Sequence, residues 1–311
     1  MSDPGPQAPG PAAFSPAPEL TVIVVNYNAG LLLAECVAAV LDSQVRVQVL
    51  VSDNGSTDRS IEMLRTRLRG EPRATVVEND TNLGFAGGNN QVLGLALAPY
   101  VLFLNPDCIV GPQTLSDMLD FMNSTPDAGM AGCIIRNPDG SEQVATRRLI
   151  PDPWIGLVRV LHLHRLWPRL ADGRRLDLTE QPLPEAPVAV AAISGSFMMV
   201  RRQALDAVGP LDEGYFLHCE DLDWFVRFGH GDWRIYLVPH VEVVHHKGAC
   251  SQGRQLFVEW HKHRGMTRFF RKFQFKDYPL PFSLLVVFGI WVHFLSLSVV
   301  QMVRRLRGVD P

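Results

Sequence analysis

The chain has 311 residues, of which 47% are hydrophobic and 20% charged, enough to bury one large core or two smaller ones and too apolar for a wholly disordered chain. Its 29 basic and 32 acidic residues leave a net charge of −3, which argues against a protein whose main partner is nucleic acid. Five scattered cysteines without a C-x-x-C pair exclude a complete intrachain disulfide framework and fit a reducing compartment.

Residues 1–19 carry six prolines and lack both a basic n-region and an apolar h-region, so they read as a disordered tail without a signal peptide. Four short apolar or β-branched runs follow, Thr21 to Val25, Val45 to Val51, Ala74 to Val77 and Tyr100 to Leu104, separated by helix-length segments near 30–43, 58–69 and 87–97. That alternation predicts an α/β fold with a mostly parallel sheet flanked by helices. Ligands of such sheets bind beyond the carboxyl ends of the strands. The polar clusters fall at those ends: Asn26-Tyr27-Asn28, Asp53 to Asp58, Asn82 to Asn90, and Asn105-Pro106-Asp107.

Beyond residue 125 the pattern loosens into AGMAGCII, AVAAISGSFMMV, RIYLV and VEVVHH, read as the second half of the same domain. Trp154 to Leu170 mixes Trp, Leu, Ile and Val with Arg159, Arg165, Arg169, His162 and His164, and Arg254 to Asp277 carries seven basic residues against two acids. Basic residues interleaved with aromatics suit an anionic membrane surface, at about 1 kcal/mol per close Lys or Arg; a solvated helix face is the plain alternative. Phe282 to Val303 is 22 residues without a formal charge. As a helix it is long enough for a hydrocarbon core of ~30 Å, and Lys272, Lys276, Arg304, Arg305 and Arg307 flank it on both sides without defining an orientation. The alternatives for this run are a buried core helix or a contact in a homo-oligomer.

The chemistry-bearing residues are carboxylates and a histidine pair. GFAGGN is not the dinucleotide fingerprint G-x-G-x-x-G, and no P-loop, G-x-S-x-G or H-E-x-x-H motif is present. Asp107 follows an apolar strand, where a hard divalent cation and a diphosphate could share it, and His245 could add a ligand. Taken alone, Asp107 reads equally as the N-cap of a helix near 112–124, and His245 as a satisfied half-buried histidine. Glu220, Asp221 and Asp223 crowd three carboxylates ahead of Trp224, Phe225 and Phe228, a pattern open to a helix start or a general base.

In order, TVIVVNYN, VLVSDNGSTD, TNLGFAGGNN, LFLNPD, SGSFMMVRR, LDEGYFLHCEDLDWFVR and VVHHKGACS resemble the inverting family 2 glycosyltransferases of the GT-A fold, over roughly residues 20–265. Within that family they look most like the bacterial rhamnosyltransferase-like members of cell-surface polysaccharide synthesis. The resemblance implies that Asn26 and Tyr27 line a nucleotide pocket, that Asp53 accepts from the pyrimidine ring, and that Asn82 and Asn90 shape the nucleotide-sugar side. It also implies Asp221 as catalytic base, Glu220 and Trp224 on the substrate side, and Arg148 at a diphosphate or acceptor. Asp107 and His245 would bind the metal, Mg²⁺ or Mn²⁺. Asn105 stands where the family's D-x-D has its first acid, which weakens metal binding or makes it depend on the nucleotide. Gly195, with Ser194 and Ser196, would leave room for the donor sugar to approach the backbone.

The implied activity is transfer of a sugar, with dTDP-L-rhamnose as the favoured donor, onto a lipid-linked or cell-surface glycan at the cytoplasmic face of the bacterial inner membrane. UDP-hexose or galactofuranose donors, a catalytically inactive sugar-nucleotide or glycan binder, and a nucleotidyltransferase are the competing readings. The expected divisions are a tail (1–19), a glycosyltransferase domain (20–253), a basic amphipathic helical segment (254–277) and a hydrophobic membrane-associated helix with a basic end (278–311).

Overall fold

A computed structural model of the chain describes residues 16–160, 178–179, 181–246, 248 and 255–306. Its first half is the expected alternation: β1 (Leu20–Asn26), α1 (Leu31–Leu41), β2 (Val47–Asp53), α2 (Ser60–Leu68), β3 (Ala74–Glu78), α3 (Gly84–Leu93) and β4 (Tyr100–Leu104). β1 pairs in parallel with β2 and β4, and β2 with β3, giving the spatial order β3-β2-β1-β4. Successive side chains of a strand point to opposite faces, and β1 has an apolar layer on each. Leu20, Val22 and Val24 pack with Leu33, Val37 and Leu64 of α1 and α2, while Ile23 packs with Ala86 and Val92 of α3.

The second half supplies β5 (Cys108–Val110), α4 (Thr114–Ser124), β6 (Ala128–Arg136), α5 (Pro153–Val160), β7 (Val188–Val190), β8 (Phe197–Arg201), α6 (Arg202–Val208), α7 (Glu220–Gly229) and β9 (Arg234–His245). The sheet continues β4-β8-β6-β9-β5, with β7 also on β9. Here the pairing is mixed: β8 is antiparallel to β4 and β6, and β5 and β7 are antiparallel to β9. β8 starts at the rim where β4 ends, the Asn105 amide donating to the Ser196 carbonyl at 3.0 Å, so it runs back down the sheet. β6 and β9 are parallel but slip register between Cys133↔Val238 and Ile134↔Glu242, leaving Pro239, His240 and Val241 outside the ladder. Proline cannot donate to a ladder and sits well in such a bulge. Past it, β9 delivers His245 opposite Cys108.

The chain ends in α8 (Gln255–Phe273), a 3₁₀ turn (Phe275–Asp277) and α9 (Leu280–Leu306). Two basic residues of α8 turn inward: Lys272 pairs with Asp212 at 2.7 Å and Asp223 at 2.6 Å, and Arg268 pairs with Asp212 at 2.9 Å. α9 lies antiparallel along α8. Trp260 meets Trp291 and Phe294, His263 meets His293, and the Ser283 hydroxyl donates to the Phe275 carbonyl. Leu280–Val303 is long and apolar enough to cross a membrane, with only 17% of its most apolar window buried. Leu280, Leu284, Phe288, Val292, Leu295 and Val299 form an exposed outer stripe at helical spacing. The stretch from 161 to 170 lies outside the described residues.

Candidate active site

The strand ends converge on a cavity of about 420 Å³ lined by Tyr27, Asn54, Asn82, Asn105, Asp107 and His245, with Phe216, Leu217 and His218 facing them. Four of the polar loops expected on one rim therefore contribute to one space. Asn26 and Asp53 lie behind its wall. Asn26 is fully buried and its amide donates to Asp53 Oδ1 at 2.7 Å and to the hydroxyls of Ser56 and Ser60. The Ser56 amide and hydroxyl also donate to Asp53. The pair thus clamps the loop after β2 to the end of β1, a use of buried polar groups that leaves their hydrogen bonds satisfied. Asn82 caps the turn into α3, its Oδ1 accepting from the Gly84 amide at 2.8 Å. Asn90 lies away from the cavity, donating to the Leu211 carbonyl and Glu213.

Asp107 faces His245, with Oδ1 3.0 Å from Nε2 and both side chains buried. It does not cap α4, whose N-terminus carries no side-chain cap. Gln143 sits behind the histidine. Its Nε2 donates to Asn137 Oδ1 at 2.9 Å, which aims Oε1 at His245 Nδ1, 2.7 Å away. The network assigns the Nδ1 proton to that bond, so Nε2 is directed at the carboxylate either as a donor or as a free lone pair. Asp107, Cys108 and His245 present ligand atoms within 4.8 Å of one another. The Cys108 thiol donates to the Ser196 carbonyl, and burial pushes its pKa well up, which leaves carboxylate and imidazole as the donor set. One hard oxygen and one oriented imidazole, with Gln143 holding the ring, fit Mn²⁺ or Mg²⁺ completed by phosphate oxygens and water.

The second cluster stands at the start of α7. His218 and Cys219 both have positive φ, 68° and 72°, a conformation costly for non-glycine residues. Two glycines let neighbouring elements hold this loop. A Cβ at Gly84 would collide with the Phe216 carbonyl, which instead accepts from the Phe85 amide at 2.8 Å. A Cβ at Gly265 of α8 would lie 2.7 Å from the His218 carbonyl oxygen. The loop ends by presenting Asp221, whose Oδ2 takes the Arg148 guanidinium and whose Oδ1 accepts from the Leu222 amide. Arg148 is anchored in turn on the Ile193 carbonyl and lies over the Phe225 ring. The space left by Gly195 is taken up by the Asp221 carboxylate, 2.7 Å from where a Cβ would be.

The three crowded acids have separate fates. Asp223 is buried against Arg227 and Lys272. Glu220 is buried with Oε2 unpartnered; burial, and then the neighbouring Asp221 charge, push its pKa up to about 8, so it is neutral near pH 7. Trp224 is a core residue, its ring edge-on to Phe103 and Phe228 and its indole N–H donating to the Gly209 carbonyl. Sequence reading missed Gln143 and His218. Gln143 lies in a turn 102 residues from its histidine, with no periodicity to mark it.

Asp221 lines a second cavity, of about 320 Å³, between α5, α7, α8 and α9. His218, three residues before Asp221, lines both cavities.

Comparison with known proteins covers most of the chain. The profile of "Glycosyl transferase family 2" matches residues 21–209. An N-acetylglucosaminyl-diphospho-decaprenol L-rhamnosyltransferase of Mycobacterium tuberculosis is 31% identical over 306 residues, covering 92% of this chain and 95% of the relative. Rhamnosyltransferase WbbL of Escherichia coli is 28% identical over 174 residues, 52% of this chain and 58% of WbbL. Among solved structures, a Pyrobaculum calidifontis mannosyltransferase in complex with GDP-Man and Mn²⁺ superposes with a TM-score of 0.57 at 17% identity, covering 91% of this chain and 76% of the mannosyltransferase. GalNAc-T7 with UDP, GalNAc and Mn²⁺ gives 0.54 at 14% identity, covering 74% of this chain and 44% of its own.

Proposed function

The chain belongs to glycosyl transferase family 2 and has the GT-A fold, and from that premise we propose that it transfers L-rhamnose from dTDP-L-rhamnose to a hydroxyl of a lipid-linked glycan, with inversion at the anomeric carbon. The near-full-length likeness to a rhamnosyltransferase acting on a diphospho-decaprenol substrate supports both donor and acceptor class. The observation that supports the reaction type is that Asp221 lines one cavity while His218, three residues before it, lines both that cavity and the one at the strand ends. A direct displacement needs a base beside the acceptor and a leaving group held on the opposite side.

In this reading the cavity of Asn82, Asn105, Asp107 and His245 takes the nucleoside diphosphate, and Asp221 receives the proton of the attacking hydroxyl. Arg148 orients the carboxylate through its ion pair and fixes which oxygen faces the acceptor. Asp107 and His245 would hold Mg²⁺ or Mn²⁺, which supplies Lewis-acid neutralisation of the departing diphosphate. Asn26 and Asp53 act from behind the cavity wall, by fixing the loop that Asn54 projects from.

The catalytic unit in this reading is residues 20–253; 254–277 and 278–311 seat it on the cytoplasmic face of the membrane, and the outer apolar stripe of α9 supports the membrane contact. The test is release of nucleoside diphosphate from dTDP-rhamnose, UDP-glucose, UDP-galactose and GDP-mannose, each offered with an N-acetylglucosaminyl-diphospholipid acceptor, with Mn²⁺ or chelator. Acceptor-dependent release from dTDP-rhamnose alone, lost with chelator, is the expected result. Preference for a UDP-sugar would discard rhamnose, and no release from any donor would discard the transferase reading.

A further inference from the structure

The second cavity has features that the reaction at Asp221 does not explain. It is lined by Lys262, Met266, Phe269 and Phe270 of α8 and by Val286, Ile290 and His293 of α9. The helices are antiparallel, so Lys262 and His293 share one end of the cleft and Phe270 and Val286 lie farther along it. The Lys262 end is also the reaction end, because Gly265, one turn on, packs against the His218 carbonyl. The cleft is therefore cationic beside Asp221 and Arg148 and mostly apolar beyond, where the Gln274 amide is taken up by the Pro151 carbonyl. The Lys262 ammonium has one loose contact among the described residues, Glu259 at 3.5 Å. Asp152, at the opposite rim, is occupied in capping α5 through the amides of Trp154 and Ile155. Next to Pro153, which lines the cleft, Trp154 is exposed and stacked on Phe282 of α9.

We propose that this cleft is the binding site for the lipid diphosphate of the acceptor: the phosphates meet Lys262 beside Arg148, the first isoprenoid units lie against Phe269, Phe270, Val286 and Ile290, and the attached sugar is left at Asp221. This rests on the lipid-linked acceptor proposed above. It gives α9 a role beyond anchoring, since the helix is one wall of the site. A cation at the head and apolar side chains behind it recognise an amphiphile with a diphosphate head, whereas free diphosphate or an uncharged isoprenoid alcohol would satisfy only half of the cleft.

The probe is farnesyl diphosphate, titrated calorimetrically into the full chain held in phosphatidylcholine nanodiscs, beside farnesol and inorganic pyrophosphate. Farnesyl diphosphate should bind at least about 10-fold more tightly than either half-molecule, as expected for a charge-assisted contact added to apolar burial. Lys262→Glu should weaken it by about 10-fold or more, Lys262→Arg should restore it, and Ile290→Trp should block it by filling the cleft. Binding of dTDP-rhamnose, measured on the same samples, reports that each variant is folded. Equal binding of farnesyl diphosphate by wild type and both disruptive variants overturns the proposal, as does displacement of the probe by dTDP-rhamnose. Lys262-dependent binding in a chain that transfers no rhamnose would uphold the cleft and sink the donor reading instead; transfer to a lipid-linked acceptor with probe binding indifferent to Lys262 would do the reverse.

Discussion

A Cβ at Gly195 would lie 2.7 Å from Oδ2 of Asp221, so the backbone at 195 is one wall of the seat in which that carboxylate is held. The opposite restraint is the Arg148 guanidinium on the same oxygen. Asp221 is thus positioned from β8's approach, from Arg148 and from its own helix at once. Gly195→Ala should push the carboxylate out of line and lower kcat by about 10-fold to 10²-fold, the scale of a misplacement of ~1 Å. Nucleotide-sugar affinity should stay within about twofold, because Asp107 and His245 are held by β5 and β9. Steady-state kinetics paired with calorimetry separate the two effects; loss of donor affinity equal to the loss of kcat would place Gly195 at the donor instead.

Asp221→Asn keeps size and the Leu222 amide bond while removing the carboxylate proposed as base. Turnover should fall by about 10²-fold or more, with donor affinity retained. Near-normal turnover in this variant would take Asp221 out of the base role.

How far the acids could be read from sequence differs from one to the next. Three carboxylates in four residues look mutually repulsive, and nothing local shows what relieves them. Asp223 is relieved by Arg227, one turn away and legible at i+4, but also by Lys272, 49 residues on. Asp221 is relieved by Arg148, 73 residues back. Glu220 is relieved by staying protonated. The first half of the fold was legible because β1 and β4 carry continuous apolar runs, Val22 to Val25 and Tyr100 to Leu104, and β2 is buried along its whole length, as in a parallel sheet covered on both faces. The mixed second half was not, because pairing direction there is decided by the Asn105–Ser196 contact and by the bulge after Val238, neither of which leaves a periodic trace. Trp224 follows Asp221 closely in sequence, but at helical spacing it falls on the buried face with Phe228.

Glu220 makes stability depend on pH. Its carboxyl titrates near 4.5 when unfolded and about 8 when folded, so the folded form holds a proton that the unfolded form has released between those values. The contribution is fully present below pH 4.5 and declines as pH rises to 8, then levels off. Glu220→Gln, neutral at every pH, should lose this slope: its melting temperature relative to wild type should rise from pH 5 to pH 8. A constant difference across that window would mean that Glu220 is ionised in the folded protein.

Gln143 should matter to metal affinity without touching the ion. Gln143→Ala removes the acceptor that holds His245 Nδ1 and frees the ring to rotate. Mn²⁺ affinity in the presence of nucleoside diphosphate should fall by about 10-fold to 100-fold, as for other residues that orient a ligating histidine. Unchanged Mn²⁺ affinity would show that the Asp107–His245 pair is an ion pair of the fold and not a metal site.

The loop that carries Asp221 pays a backbone cost, and Gly265 shows what offsets it. His218 and Cys219 hold φ of 68° and 72°, each worth about 1–3 kcal/mol of strain in general. Such a conformation persists only where surrounding contacts over-determine it, and here α8 comes within direct contact of the loop because position 265 has no side chain. A methyl there meets the His218 carbonyl and the Cys219 sulfur together. The loop can escape by relaxing toward ordinary φ, but that rotation moves Asp221, two residues on, away from Gly195 and Arg148. Gly265→Ala should therefore lower the rate of transfer more than it lowers stability, by about 10-fold or more in kcat against an overpacking cost of about 1–3 kcal/mol. Gly94→Ala, where a Cβ meets nothing within 4 Å, is the matched control and should leave kcat unchanged. If Gly265→Ala melts earlier but turns over at the wild-type rate at a temperature where it is fully folded, the strained loop is a feature of packing alone and Asp221 owes its position to Gly195 and Arg148.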